Sequence, residues 1–212
     1  MYIPKHFEET DLRVLHALIE AHPLGAWVTP GAGGLMANHI PFLLKRDQGP
    51  LGTLVGHVAR AGGAWQAFSG TTRSLVIFQG PEAYITPSWY PSKAEHGKVV
   101  PTWNYAVVHA HGMPRTFEGR ERLLAHVREL TARHEAGEKA PWSVGDAPGD
   151  FIDRMLDAIV GVEIPVERIE GKWKAGQNRS ADDRLGAAAG LKRRDGGSAM
   201  AEIMEGREGP RG

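Results

Sequence analysis

The fold class this sequence predicts is mainly β with flanking helices: an antiparallel sheet closed, or nearly closed, into a barrel. Six short runs carry that reading. LGAWVT, LMANHIPFLL, LGTLVGHVA, SLVIFQG, EAYIT and WNYAVVHAH are rich in β-branched, leucine and aromatic residues. They fall within roughly 90 residues, are punctuated by Gly, Pro, Asp and Gln, and mostly leave no helix-length segment between them. Helical periodicity, by contrast, is confined to the two ends of the chain.

At the N-terminal end, Leu12, Leu15, Leu18 and Ile19 recur at helical spacing behind a Thr10 or Asp11 cap, and Pro23 ends the helix. The GAGG at 31–34 lies between two strand runs and reads as a hairpin turn rather than a phosphate cradle. After the strands, a helix over about Arg120 to Ala136 turns Leu123, Leu124, Val127 and Leu130 inward. A second begins near Pro148 with Phe151, Ile152, Met155, Leu156 and Ile159 on one face. In VEIPVERIEGKW, Val162, Ile164 and Val166 alternate as on a strand, and in SADDRLGAAAG, Ser180 and Asp183 are spaced as a capping box. One domain over 1–191 is expected. Residues 192–212 contain KRRDGG and EGREGPRG, and their glycine and charge read as a flexible tail.

Composition limits function. The 212 residues include no cysteine, and the N-terminus MYIPKHFEE has no apolar run, so a cytoplasmic setting without a membrane anchor is expected. Lys plus Arg equals Asp plus Glu at 25 each, leaving no global positive field to draw the protein onto DNA. Any DNA contact must then be local. The best candidate helix, RERLLAHVRELTARH, mixes its arginines with glutamates, the pattern of a solvated face.

Chemistry-bearing residues are scattered. His109 and His111 share a strand face and, with His39 or His57, could form a metal site; their motifs contain no Asp or Glu, and no metal is assigned. A Ser88, His, Asp146 triad can be written down, yet no GxSxG elbow supports it, and no catalytic residue is assigned. More telling is HVARAGGAW, where Arg60 and two glycines follow a strand: backbone can approach a ligand there and a guanidinium can fork a phosphate. GKWKAGQNRSADDR gathers Lys172, Lys174, Gln177, Asn178, Arg179 and Arg184 beside a helix N-terminus, which suits either an anion or a solvated strand exit. In GKVVPTWNY, Trp103 and Tyr105 share one strand face and read as barrel packing, with Thr102 and Asn104 on the other.

Taken in order, MYIPKHF, ANHIPFLL, GHVARA, FQGPEAYITPSWYPSK, GKVVPTWNYAVVHAHG, the PW at 141–142 and GKWKAGQNRSADDRLG resemble the FMN-binding negative transcriptional regulator family of PaiB type, from Met1 to about Leu191. The resemblance implies a flavin-binding split β-barrel like that of pyridoxamine phosphate oxidases, a homodimer with FMN at the subunit interface. It implies FMN contacts from Asn38, His39, His57, Val58, Ala59 and Arg60, with Arg60 on the phosphate, and further contacts from Lys174, Gln177 and Arg179. It also makes Thr102 and Asn104 candidates for the flavin's surroundings. One departure stands out: the family usually continues HVARAN with Pro, whereas this chain has Gly62 and Gly63, losing a polar contact and a rigid turn. The function implied is a negative regulator or flavin-dependent redox sensor. The alternatives are an FMN-dependent oxidoreductase without DNA binding and a haem-binding split barrel.

Overall fold

The computed structural model describes residues 1–31, 33–67 and 72–206. Among these, the strands are β1 (Glu8–Glu9), β2 (Leu24–Gly31), β3 (Gly34–Pro41), β4 (Leu43–Lys45), β5 (Thr53–Ala59), β6 (Ser74–Ile85), β7 (Thr102–Gly112), β8 (Arg115–Phe117) and β9 (Ile159–Lys174). The helices are α1 (Leu12–Ala21), α2 (Ser92–His96), α3 (Arg120–Glu135), α4 (Gly149–Asp157), α5 (Ala181–Asp195) and α6 (Ala199–Gly206). The strand path is β3-β2-β6-β7-β9-β5-β4, with β1 and β8 also paired to β9. The mainly β fold class with helices at both chain ends is therefore as the sequence predicts. No described helix is long and apolar enough to cross a membrane.

The chain divides into two compact units. One comprises His22–Phe78 and Ala110–Ile169; the other comprises Met1–Ala21, Gln79–His109 and the chain from Glu170 onward.

In the first unit, β2 alternates as a half-buried strand should, turning Gly25, Trp27 and Thr29 inward. It forms an antiparallel hairpin with β3, the last pair being Gly31 with Gly34, as the GAGG reading expects. Trp27, Phe42, Leu54, Val76 and Phe78 are fully buried, and the Phe42 and Phe78 rings meet edge to face with centroids 6.0 Å apart. Each such side chain contributes about 1.5–3 kcal/mol by leaving water. A second cluster lies under α3, where Leu123, His126 and Leu130, spaced three and four apart, form the buried stripe. Leu123 packs with Phe117 and Leu156, and Val55, Ile152 and Ile159 close the edge. Gly161 makes this possible, because a Cβ there would come within 2.3 Å of the Phe117 ring.

In the second unit, Asp11 Oδ1 accepts the Arg13 amide at 2.9 Å, which starts α1, and Leu15, Leu18 and Ile19 are buried. The Ser180 hydroxyl caps α5 by accepting the Asp183 amide at 3.2 Å. Two expectations are corrected here. Residues 192–206 are not a flexible tail: α5 continues to Asp195, and α6 buries Met200, Ala201 and Met204 against Ala187, Ala188 and Leu191. Buried Arg184 donates to the Met204 carbonyl, satisfying an orphan acceptor near the end of α6. The rest of the expected tail, 207–212, lies outside the described residues. Secondly, β7 alternates as predicted but with the opposite face inward. Asn104, Ala106 and Val108 are buried, whereas Trp103 is 55% exposed, its ring edge to face with Tyr84 at 5.9 Å between centroids.

Candidate cofactor site

In the first unit, β3 runs beside β5, and the strands bring together ANHIP and GHVA, motifs whose histidines are 18 residues apart in sequence. Asn38, His39, Ile40 and Pro41, together with His57, Val58, Ala59, Gly62 and Ile159, line a cavity of about 430 Å³. That volume is ordinary for a cofactor cleft. Five of the predicted FMN residues thus share one cavity, and Gly62 of the departing HVARAGG segment joins them. Val58, Ile40 and Ile159 supply an apolar wall. Asn38, His39 and His57 supply the polar groups.

His57 stands opposite Gly161 in the β5–β9 ladder and is half-buried. Its Nδ1 lies 3.1 Å from Nε2 of His126, and the two rings meet edge to face at 5.3 Å between centroids. Burial lowers the pKa of His57; burial first, then the neighbouring His57 and Lys45, outweigh the opposing pull of Glu129 and lower that of His126 to about 4. Both imidazoles are therefore neutral at pH 7. Lys45 of β4 forms an ion pair with Glu129, one turn along α3 from His126.

Arg60 follows β5 but does not line the cavity. Its Nε donates to the Asp157 carbonyl at 2.9 Å and its Nη2 to the Ile159 carbonyl at 3.1 Å; Nη2 also pairs with Glu118 at 2.8 Å. Trp65 Nε1 donates to the Arg60 carbonyl at 2.9 Å, which fixes the turn. Gly63, at φ 65°, supplies the left-handed residue that closes this turn, a conformation that proline cannot adopt and asparagine adopts less readily than glycine.

The remaining predicted residues lie in the second unit and do not line this cavity. Lys174 Nζ donates to the Thr102 hydroxyl and, at 2.6 Å, to the Trp103 carbonyl. Burial, then the nearby Lys172 and Arg179, lowers the Lys174 pKa, as expected in a cluster of cations. Asn104 is 2% exposed, and its amide nitrogen donates to Met204 Sδ at 3.4 Å. Gln177 is buried and ties the end of β9 to the following loop, accepting from the Ala175 amide at 2.8 Å and donating to the Trp173 carbonyl at 2.6 Å. Arg179 stacks over Tyr90 at 5.1 Å and lines a separate cavity of about 490 Å³ with Asn178, Ser180 and Asp183. A larger hollow of about 560 Å³ under the end of α3 contains none of the predicted residues, so we place no cofactor there.

The triad gains nothing from the geometry. Ser88 Oγ accepts from Lys93 and Asp146 caps the Ser143 amide, each a local contact. His111 Nδ1 lies 3.2 Å from Arg168 Nη2. His126 was missed by sequence reasoning. The available signal was its place between Leu123 and Leu130 on the buried stripe of α3.

Two solved structures share the split β-barrel fold. The flavocytochrome Anf3 from Azotobacter vinelandii superposes with a TM-score of 0.61 at 12% identity, over 82% of this chain and 73% of that one. The FAD and heme binding protein from Mycobacterium smegmatis gives 0.60 at 17% identity, over 85% and 79%. In sequence, residues 1–168 match the family described as "Putative FMN-binding domain". The Protease synthase and sporulation protein PAI 2 of Bacillus subtilis is 32% identical over 208 residues, 97% of each chain. The chain belongs to this FMN-binding, PaiB-like family, and FMN is its cofactor. The matched region contains the whole 430 Å³ cavity; Lys174, Gln177 and Arg179 lie beyond it.

Proposed function

We propose that FMN binds in the cavity between β3 and β5, and that the chain works as a homodimeric, flavin-dependent negative regulator: a redox or small-molecule sensor, not a reader of DNA through a helix. The observation that carries this is the convergence of Asn38, His39, His57, Val58 and Ala59 on one cavity of about 430 Å³. Its donor set fits a flavin. An apolar wall suits the ring system, Asn38 offers both donor and acceptor, and His57 adds a ring nitrogen with no hydrogen-bond partner among the described residues. Bound FMN supplies the electron chemistry, so no dedicated catalytic side chain is needed. Arg60 stands just outside as the phosphate residue. Its pair with Glu118 is partly exposed and holds it by no more than about 1 kcal/mol, so a phosphate can displace the carboxylate.

The dimer draws on β3, which ends the strand path and exposes Leu35 (80%) and Met36 beside Asn38 and His39. An apolar sheet edge of this kind is a surface another chain covers. A second copy there would border the flavin cavity. The regulatory half of the proposal draws on the Bacillus subtilis relative, whose name ties that protein to sporulation. Direct DNA reading finds no support on α3: Arg120 pairs with Asp153 at 2.7 Å and Arg122 with Glu163 at 2.5 Å, so these cations are already neutralised.

The test is the absorption spectrum of the purified protein before and after FMN, followed by fluorescence titration of wild type, Ile159→Trp and Asn38→Ala. The indole fills the cavity, so Ile159→Trp should weaken FMN by more than about tenfold, and Asn38→Ala by about fivefold. Unchanged affinity in both variants would place the flavin elsewhere. Sedimentation should give a dimer for wild type and monomer for Leu35→Glu. Steeply salt-dependent binding to a promoter fragment would turn the reading to direct DNA contact, and steady turnover of a small electron acceptor to an oxidoreductase.

A further inference from the structure

We infer that His126, outside every motif of the family resemblance, is a positioning residue: it donates Nε2–H to His57 Nδ1 and so holds His57 as the tautomer that presents Nε2–H to the cavity. This deepens the proposed site and rests on it only for the identity of the ligand.

The argument is one of proton placement. A contact of 3.1 Å between His57 Nδ1 and His126 Nε2 contains one hydrogen. If His57 gave it, the only proton on neutral His126 would sit on Nδ1, which is buried and has no partner among the described residues. A buried, orphaned N–H is among the rarest features of folded proteins. The opposite arrangement leaves His126 Nδ1 with only a lone pair there, and moves the His57 proton to Nε2 on the half-exposed ring that lines the cavity. Water or ligand can satisfy it.

His126 cannot turn away to relieve the choice. It is 5% exposed, with the Phe117 ring edge-on at 6.1 Å and the His57 ring at 5.3 Å. The neutral state of both rings at pH 7 agrees with burial lowering both pKa values. A proton added at His57 Nδ1 would force the His126 proton onto its buried, unpartnered Nδ1, so the site favours the neutral pair. The cavity therefore offers a donor at this point, and selects a ligand atom that accepts: a ring carbonyl, an imine nitrogen or an anionic oxygen.

The test is nitrogen NMR of ligand-free protein labelled at histidine, with the His57 signals assigned through His57→Gln. At pH 7.5, His57 Nδ1 should resonate as an unprotonated nitrogen and Nε2 as a protonated one. A protonated Nδ1 would overturn the inference whether or not the protein binds FMN. In His126→Phe, the His57 signals should move toward a tautomer mixture, and FMN affinity should fall about fivefold. His126→Gln, whose amide can still donate, should restore both. Loss of affinity in the Phe and Gln variants alike, with the His57 tautomer unmoved in either, would reduce His126 to a packing role and also overturn it. If His126→Phe does not fold, the wild-type spectrum and the Gln variant decide alone.

Discussion

Acidification should destabilise this protein through His126, and its surroundings set the size of the effect. In the unfolded chain the imidazole titrates near 6.5; in the folded protein burial, the adjacent His57 and Lys45 hold it near 4 against the pull of Glu129. Between these values the unfolded state binds the extra proton, so stability falls as pH falls. From pH 7 to pH 5 the loss attributable to His126 is about 2 kcal/mol, rising to about 3 kcal/mol by pH 4. His57 shifts in the same direction and adds to it. Urea unfolding at pH 7 and pH 5 measures the loss in wild type and in His126→Phe, where a ring of similar size occupies the space beside Phe117. The variant should lose about 2 kcal/mol less than wild type over that interval. Equal losses in the two proteins would refute the reasoning, because the buried imidazole would then have no part in the acid response.

Four other substitutions probe three separate parts of the structure. Arg60→Ala should weaken FMN by at least about tenfold if the guanidinium takes the phosphate, since charge-assisted bonds contribute about 1.5–3 kcal/mol, and Glu118→Gln should tighten it up to about fivefold by freeing that group; fluorescence titration reads both. Gly161→Ala would force a Cβ to within 2.3 Å of Phe117 and should cost about 1–3 kcal/mol in urea unfolding. Met204→Ala should cost about 2–5 kcal/mol by the same measure, although it lies in a segment the sequence presents as a tail.

The fold was largely legible because its signal is local. Alternating apolar runs, a capped helix at Asp11 and another at Ser180 each need only neighbouring residues to declare themselves, and each is present. Local signals also misled. Gly80, which ends SLVIFQG, and Pro81 before EAYIT read as a break, yet β6 runs straight through them. Gly80 sits there because a Cβ would come within 2.8 Å of Leu18, a close approach no local rule reveals. In the C-terminal segment, Gly196 and Gly197 do break the helix, with φ of 71° and 153°, but the glycine and charge around them concealed α6. Met200, Ile203 and Met204 are spaced as one helical face, and that face is buried.

The site was legible to a different degree, and the reason lies in what fixes each residue. Asn38 and His57 belong to motifs whose strands turn them to a common cavity, so naming the strands was close to naming the site. Arg60 shows the limit of that logic. Its position after β5 was correct, but the carbonyls of Asp157 and Ile159 that hold its guanidinium come from nearly 100 residues away. His126 lies further beyond it. A histidine on an apolar helix stripe reads as a core residue, and by burial it is one; only the 3.1 Å approach of another imidazole, from a strand 69 residues earlier, links it to the cavity between β3 and β5. Positions whose role depends on one long-range partner carry no pattern in sequence. The tautomer of His57 is therefore the property of this site that most requires the structure.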